Sequence, residues 1–407
     1  MSKLSSWKTI FCLCVFCSVA AIASPAQTFK TLVSFNGTNG ANPGWMSLIQ
    51  GTDGNFYGTT ENGGAHGHGT IFKITPAGTL TTLHNFCSQP NCTDGASPVA
   101  GLVQATSGNF YGTTSGGGAY NHGSLFEITA AGKLTTLYNF CSLANCADGL
   151  SPYAAPLQAT DGDLYGTTYL GGANNYGTVF KLSPAKGADK EKVLYSFGAN
   201  SNDGTQPYAG VTLDRARNIY GTAALGGQGY GTVFELTPSK SGWTEQIIHT
   251  FGNVTDGGTP YAGLSFDAQG NLFGATTQGP GAGGGTFFEL TPSNGTWSFN
   301  TIYSLSGWGI SGEFRTAYLD PSDNIFGTTH CDGQYSSGSV YELQRSGSAY
   351  NYVDLYDFTG GTDGQYVFSN PAFDAHGNIF GTTNVGGSGY GVVWEVRAAG
   401  KTGRRHV

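Results

Sequence analysis

A four-residue phrase returns seven times at a nearly constant interval, and this constrains the fold more than any other feature of the chain. Tyr57-Gly58-Thr59-Thr60 recurs, with small changes, from Tyr111, Tyr165, Tyr220, Phe273, Phe326 and Phe380, in steps of 54, 54, 55, 53, 53 and 54 residues. A period of this size marks an architecture in which one unit cannot bury its apolar surface alone and must stack on its neighbours. Each copy divides into four short strand-like runs. In the second copy they are residues 100–105, 109–114, 124–129 and 134–140. They are rich in Thr, Tyr, Phe, Leu and Val, and are bounded by Gly-containing turns and one Gly-rich loop. No segment after residue 26 carries helical periodicity. Four antiparallel strands repeated radially predict an all-β, seven-bladed β-propeller. A solenoid is the competing architecture, but it would need terminal caps that the sequence does not contain.

The ends of the chain predict how the ring closes. The last copy has a third run at 391–396 but no fourth, whereas Phe29-Lys30-Thr31-Leu32-Val33-Ser34-Phe35 matches fourth runs such as 134–140. The N-terminal segment is therefore expected to complete blade seven and hide two open sheet edges. The run nearest the channel should be small, and Ala100-Gly101, Ala154-Ala155, Ala209-Gly210 and Ala262-Gly263 are. Pro156 and Pro371 fall in the same run, which an edge strand tolerates.

A length of 407 residues suggests two or three ordinary domains, and the repeat overrides that expectation. Apolar residues at 39% and aromatic residues at 13% suffice for a core. A net charge of -8 without a basic tract gives no footprint for nucleic acid. Residues 1–26 read as a signal peptide: Lys3 and Lys8 precede an apolar stretch from Ile10 to Ala23, followed by small residues. An uncleaved anchor is the alternative. The propeller then spans 27–397, with a short disordered tail at 398–407.

Of eight cysteines, three lie in the leader. Cys87 with Cys92 and Cys141 with Cys146 share one spacing and one context, and in an oxidising compartment each pair predicts a local disulfide. A four-cysteine zinc site is disfavoured because the pairs recur one repeat apart. Cys331 is left over.

The pattern Asp53-Gly54-Asn55 to Thr60, a Gly-rich loop, then Gly177 to Pro184 or Gly231 to Pro238 resembles the GloVer tandem repeat of bacterial "choice-of-anchor tandem repeat GloVer-containing" proteins. The resemblance covers residues 28–397. It implies an exported, surface-associated protein and brings no settled activity. Many members end in an anchoring segment. This chain ends Lys401 to Val407 without an apolar tail, so free secretion is expected.

Loops leading into the channel run, and those joining runs two and three, share one face. Asp94, Asp148, Asp203, Asp256 and Asp363, each followed by Gly, stand on it, with Asn39-Gly40 in the equivalent place before blade one. Such carboxylates could bind calcium or sugar hydroxyls, but a motif repeated like a fold element is expected to cap its own turn. The Gly-rich loops carry His66, His68, Tyr120, His122, Tyr176, Tyr230 and Tyr390. Flat rings beside short polar groups are what sugar recognition uses. The three histidines would hold a metal only if blades converged, so no metal and no cofactor is assigned. Glu127, Glu235, Glu289, Glu342 and Glu395 recur once per blade and read as structural. Blade six breaks the pattern, with Trp308, Glu313 and Arg315 before its channel run and His330, Cys331 and Asp332 after its second. The expectation is a monomeric, exported, non-catalytic binding propeller for extracellular carbohydrate or another surface polymer, without a membrane span. A glycan lyase or hydrolase using the blade-six cluster, and a structural envelope component, are the competing readings.

Overall fold

The computed structural model describes residues 28–184, 191–240, 242–252, 256–279, 284–305 and 318–397. They form seven four-stranded antiparallel sheets arranged as a seven-bladed β-propeller, and in blades one to six the strands run in sequential order from the channel outward. Blade two is typical: Val103–Gln104, Phe110–Thr114, Ser124–Ile128 and Leu134–Asn139. In blade seven the outer strand is Thr28–Ser34, paired antiparallel with Val392–Arg397, so the first strand of the chain closes the ring on the last.

The repeated phrase has a physical reason at each position. The glycine lies directly opposite an aromatic residue of the third strand, as Gly112 opposes Phe126. A Cβ on Gly112 would come within 2.5 Å of the Phe126 ring, and one on Gly381 within 2.2 Å of Trp394, so only a bare backbone fits.

The first threonine ties one blade to the next. Thr59 donates its hydroxyl to the Ala100 carbonyl at 2.8 Å, Thr113 to Ala154 at 2.9 Å, Thr167 to Ala209 at 2.8 Å and Thr222 to Ala262 at 2.8 Å. Thr328 reaches Ser369 at 2.8 Å, and across the closing junction Thr382 reaches Pro43 at 2.7 Å. The fifth copy has Ala275 at this position. The inner strands pair over only two residues where the sequence suggests six, and the carbonyls of Ala100, Ala154, Ala209 and Ala262 accept from the neighbouring blade.

The second threonine works within its blade. Thr60 and Thr70 share a buried hydroxyl pair at 2.9 Å, as do Thr114 with Ser124 and Thr168 with Thr178. Blade four has Ala223 at this position, and Thr232 opposite it is buried with no partner for its hydroxyl.

The apolar core is likewise split among the junctions. Seven buried clusters occur among the described residues, each drawing on two adjacent blades. The closing junction holds one of them, in which Phe35, Met46, Leu48 and Phe56 pack on Phe380 and Val393.

Two substitutions test this account. Thr167→Val keeps shape but orphans the buried Ala209 carbonyl, and should destabilise the protein by about 1–3 kcal/mol. Ala223→Thr should supply the missing partner of Thr232 and stabilise by about 1 kcal/mol. Urea unfolding measures both, and a neutral Thr167→Val would remove the threonine tie as a source of blade-to-blade stability.

Candidate binding face at the channel mouth

Twelve residues before the Tyr or Phe of each repeated phrase, the chain turns into the channel. Those positions hold Trp45, Val99, Tyr153, Tyr208, Tyr261 and Phe368, with Phe314 of blade six outside the described residues. Where the described loops converge, the rings meet. Tyr153 stacks on Tyr208 with centroids 5.0 Å apart, and Tyr208 meets Tyr261 edge-on at 5.0 Å. On the other side Phe368 stacks between Trp45 at 4.1 Å and His330 at 4.2 Å. Trp45 and the three tyrosines are only partly buried. The result is an aromatic collar around the mouth of a channel of about 340 Å³ lined by small residues such as Ala154, Ala155 and Gly210, with Ser47 and Asn370 as polar points.

A second circle of positions follows the repeated threonines: Glu61, Ser115, Tyr169, Ala224, Thr277, His330 and Asn384. Tyr169 lies edge-on to Tyr153 at 5.2 Å. Burial raises the Glu61 carboxyl above its ordinary range, and this carboxyl in turn acts on Tyr153. The mouth therefore offers stacking surfaces beside a carboxyl, hydroxyls and an imidazole.

Of the described residues in the sequence-derived blade-six group, His330 joins the collar. Burial pushes its imidazole down to about 4, so it is neutral near pH 7. Its Nδ1 lies 2.8 Å from Cys331 Sγ, and burial raises that thiol. The thiol keeps its proton beside a neutral ring, the opposite of a thiolate–imidazolium nucleophile. Asp332 sits elsewhere: its charge acts on Tyr303 and Tyr352 of the outer strands. Trp308, Glu313 and Arg315 lie outside the described residues.

The five repeated aspartates are turn caps. Asp94 accepts the Ser88 and Gln89 amides and the Ser88 hydroxyl. Asp148 takes the same three donors from Ser142 and Leu143, and Asp363 those of Thr359 and Gly361. Asp203 accepts the Ala199 amide and Asp256 the Gly252 amide. Each also bonds a ring from its own outer strand: His84, Tyr138, Tyr195, His249 or Tyr356. At least one oxygen of each is thus bonded inside the fold, while the other oxygen of Asp203, Oδ1, is buried without a hydrogen bond. Among the periodic glutamates, Glu127 accepts Asn109, Glu235 accepts Tyr220 and Glu395 pairs with Arg397.

The Gly-rich loop rings fall outside the collar. His68, His122, Tyr176, Tyr230 and Tyr390 share one register position beside the turn that leaves the outer strand. A Cβ on Gly198 would meet the Tyr176 ring at 2.3 Å, and one on Gly37 the Tyr390 ring at 3.2 Å. His66 and Tyr120 are exposed, as is Tyr335 at the matching place in blade six. The cysteine pairs Cys87–Cys92 and Cys141–Cys146 are disulfides, as their spacing predicts, and Cys331 is a free thiol.

Two tyrosines of the caps lie between two carboxyls. Tyr195 Oη is 2.9 Å from both Asp203 and Glu245, and Tyr138 Oη is 2.7 Å from Asp148 and 3.5 Å from Glu191. A phenol has one proton to give, so one carboxyl of each set must keep its own. Burial, with Asp148 adding repulsion, pushes Glu191 up to about 8, and burial with Asp203 raises Glu245 in the same direction.

Fold and mouth together define a propeller with an aromatic, polar-edged mouth at one end of its channel. The chain belongs to the Gloeobacter/Verrucomicrobia repeat family, which matches residues 18–147 and 142–319. No curated protein matches it in sequence. Among solved structures, a fungal alcohol oxidase of the AA5 family in complex with copper is 11% identical, with 94% of this chain and 79% of that one covered at a TM-score of 0.56. A PL25 ulvan lyase, a polysaccharide lyase bound to -[GlcA(1-4)Rha3S]-, is also 11% identical, with 88% and 94% covered at a TM-score of 0.53. At such identity these likenesses concern the fold alone.

The tyrosine–carboxyl sites predict a pH signature. Between the ordinary glutamate value of 4.5 and about 8, the folded chain holds protons that the unfolded chain has released. Their contribution is therefore full below 4.5 and lost as pH rises through 8. The Glu191→Gln, Glu245→Gln double variant should melt close to wild type near pH 5 and above it near pH 8. A gap that does not change with pH would contradict the assignment.

Proposed function

We propose that this protein is an exported, non-catalytic binding propeller that recognises extracellular carbohydrate, or a chemically similar surface polymer, at the channel mouth. The observation that carries the reading is the collar: Trp45, Tyr153, Tyr208 and Tyr261, partly buried and held by their neighbours, with Glu61, Tyr169 and His330 around them. Pyranose faces are apolar and their edges carry hydroxyls. Preformed rings with a few polar groups therefore recognise them at small entropic loss.

Several features support export. The leader-like residues 1–26 and two disulfides suit an oxidising compartment, and no helix among the described residues is long and apolar enough to cross a membrane. That the same fold serves a polysaccharide lyase agrees with the ligand class without supplying residues.

A glycan array with the purified chain tests the proposal, followed by titration of the best ligand. Trp45→Ala and Tyr208→Ala should each weaken binding by about 1 kcal/mol, or roughly fivefold in Kd, while leaving the melting curve cooperative. Binding that survives both substitutions would move the site away from the mouth. Release of unsaturated or shortened sugar products would replace binding with catalysis.

A further inference from the structure

The sulfurs of the two local disulfides do not stand alone. One ring nitrogen of His68 and the Sγ atoms of Cys87 and Cys92 lie within 4.8 Å of one another, and so do those of His122, Cys141 and Cys146. The sets repeat at an interval of 54 residues in all three members. His68 ends the Gly-rich loop between strands two and three, whereas the cysteines bound the turn that leaves the outer strand. The triad is thus assembled from two loops on one face.

The choice of histidine follows the cysteines. At the His68 position the other blades carry Tyr176, Tyr230, Gly284, Ser337 and Tyr390, and at the Cys87 position none of them carries cysteine. A ring here covers the neighbouring turn, as Tyr176 covers Gly198. Tyrosine therefore satisfies the packing, and imidazole adds a lone pair directed at sulfur. Neither imidazole makes a hydrogen bond or ion pair among the described residues.

We propose that each triad is a redox-gated site for a thiophilic divalent cation such as zinc: closed as a disulfide, and a Cys2His site when reduced. Two thiolates and one imidazole are a donor set that zinc takes in tetrahedral geometry with a fourth position open. With Zn–S of about 2.3 Å and Zn–N of about 2.0 Å, the donors would stand roughly 3.5–3.8 Å apart: the two sulfurs, bonded to each other in the disulfide, must part on reduction, while the ring nitrogen already lies within 4.8 Å of both. Opening requires a reductant, and a low-molecular-weight thiol serves. Two of its molecules supply two electrons and two protons, the S–S bond breaks, two S–H groups form and the small thiol leaves as its own disulfide. The cation then binds and displaces the two protons. Cys87, Cys92, Cys141 and Cys146 are all partly exposed, so a small thiol can reach them.

Cobalt titration of the full chain tests this. A background with Cys12, Cys14, Cys17 and Cys331 all changed to Ser removes the remaining thiols, a phosphine reductant opens the disulfides, and Co²⁺ reports thiolate ligation by charge-transfer absorption and tetrahedral d–d bands. The oxidised chain should show neither band. The reduced chain should bind two equivalents, one per triad, and Cys87→Ser should lower this to one. The His68→Tyr, His122→Tyr double variant, whose new residues three other blades already use, should bind at least about tenfold more weakly. Circular dichroism follows the fold. If reduction unfolds the chain, cobalt should refold it. A reduced chain that binds no cobalt, or is not refolded by it, overturns the proposal, as does equal affinity in the double tyrosine variant.

Discussion

The pairing of Thr28–Ser34 with Val392–Arg397 is the interaction on which the rest of the molecule depends. A blade of four short strands has two apolar faces and cannot cover either alone. Here every buried cluster is shared between two blades. In an open chain of seven blades the two end faces would lie bare, along with an unpaired sheet edge. The first strand removes both exposures at once. It completes the last sheet, and Phe29 stacks on Tyr356 of blade six at 4.0 Å. The following loop brings the Pro43 carbonyl under Thr382, so the closing junction is tied in the same way as the internal ones.

The same constraint explains the composition of the repeat. Glycine opposes an aromatic ring, one threonine reaches the next blade and the other binds across its own sheet. Where a copy departs from the phrase, the departure can be read in the structure, as the unpartnered Thr232 hydroxyl opposite Ala223 illustrates. Blade count, strand order and closure were legible in the sequence because periodicity and the missing fourth run of the last copy are one-dimensional signals. The two-residue length of the inner strands was not legible, and neither were the threonine bonds between blades, which join residues about 41 apart in the chain.

The candidate site was legible only in part. Aromatic residues in the Gly-rich loops suggested recognition, yet Tyr176 and Tyr390 cover turns away from the mouth. The collar residues have as clear a register, twelve positions ahead of each repeated phrase, but read singly they look like ordinary loop aromatics. Only the convergence of the loops around one axis makes Trp45, Tyr153, Tyr208, Tyr261 and Phe368 a surface. His330 was visible as a break in the repeat, whereas its stacking on Phe368 depends on contact between blades six and seven. The aspartates show the reverse: carboxylates repeated on the functional face are consumed by turn amides and by the histidines and tyrosines of the outer strands.

Ring closure is tested most directly by hydrogen exchange of the backbone amides of Thr28–Ser34. As the outer strand of blade seven, they should exchange as slowly as those of Leu134–Asn139, the matching strand of blade two, and together with Val392–Arg397 in a single opening event. If residues 28–34 exchanged freely while the other outer strands stayed protected, the N-terminal strand would not close the ring and the account would fail.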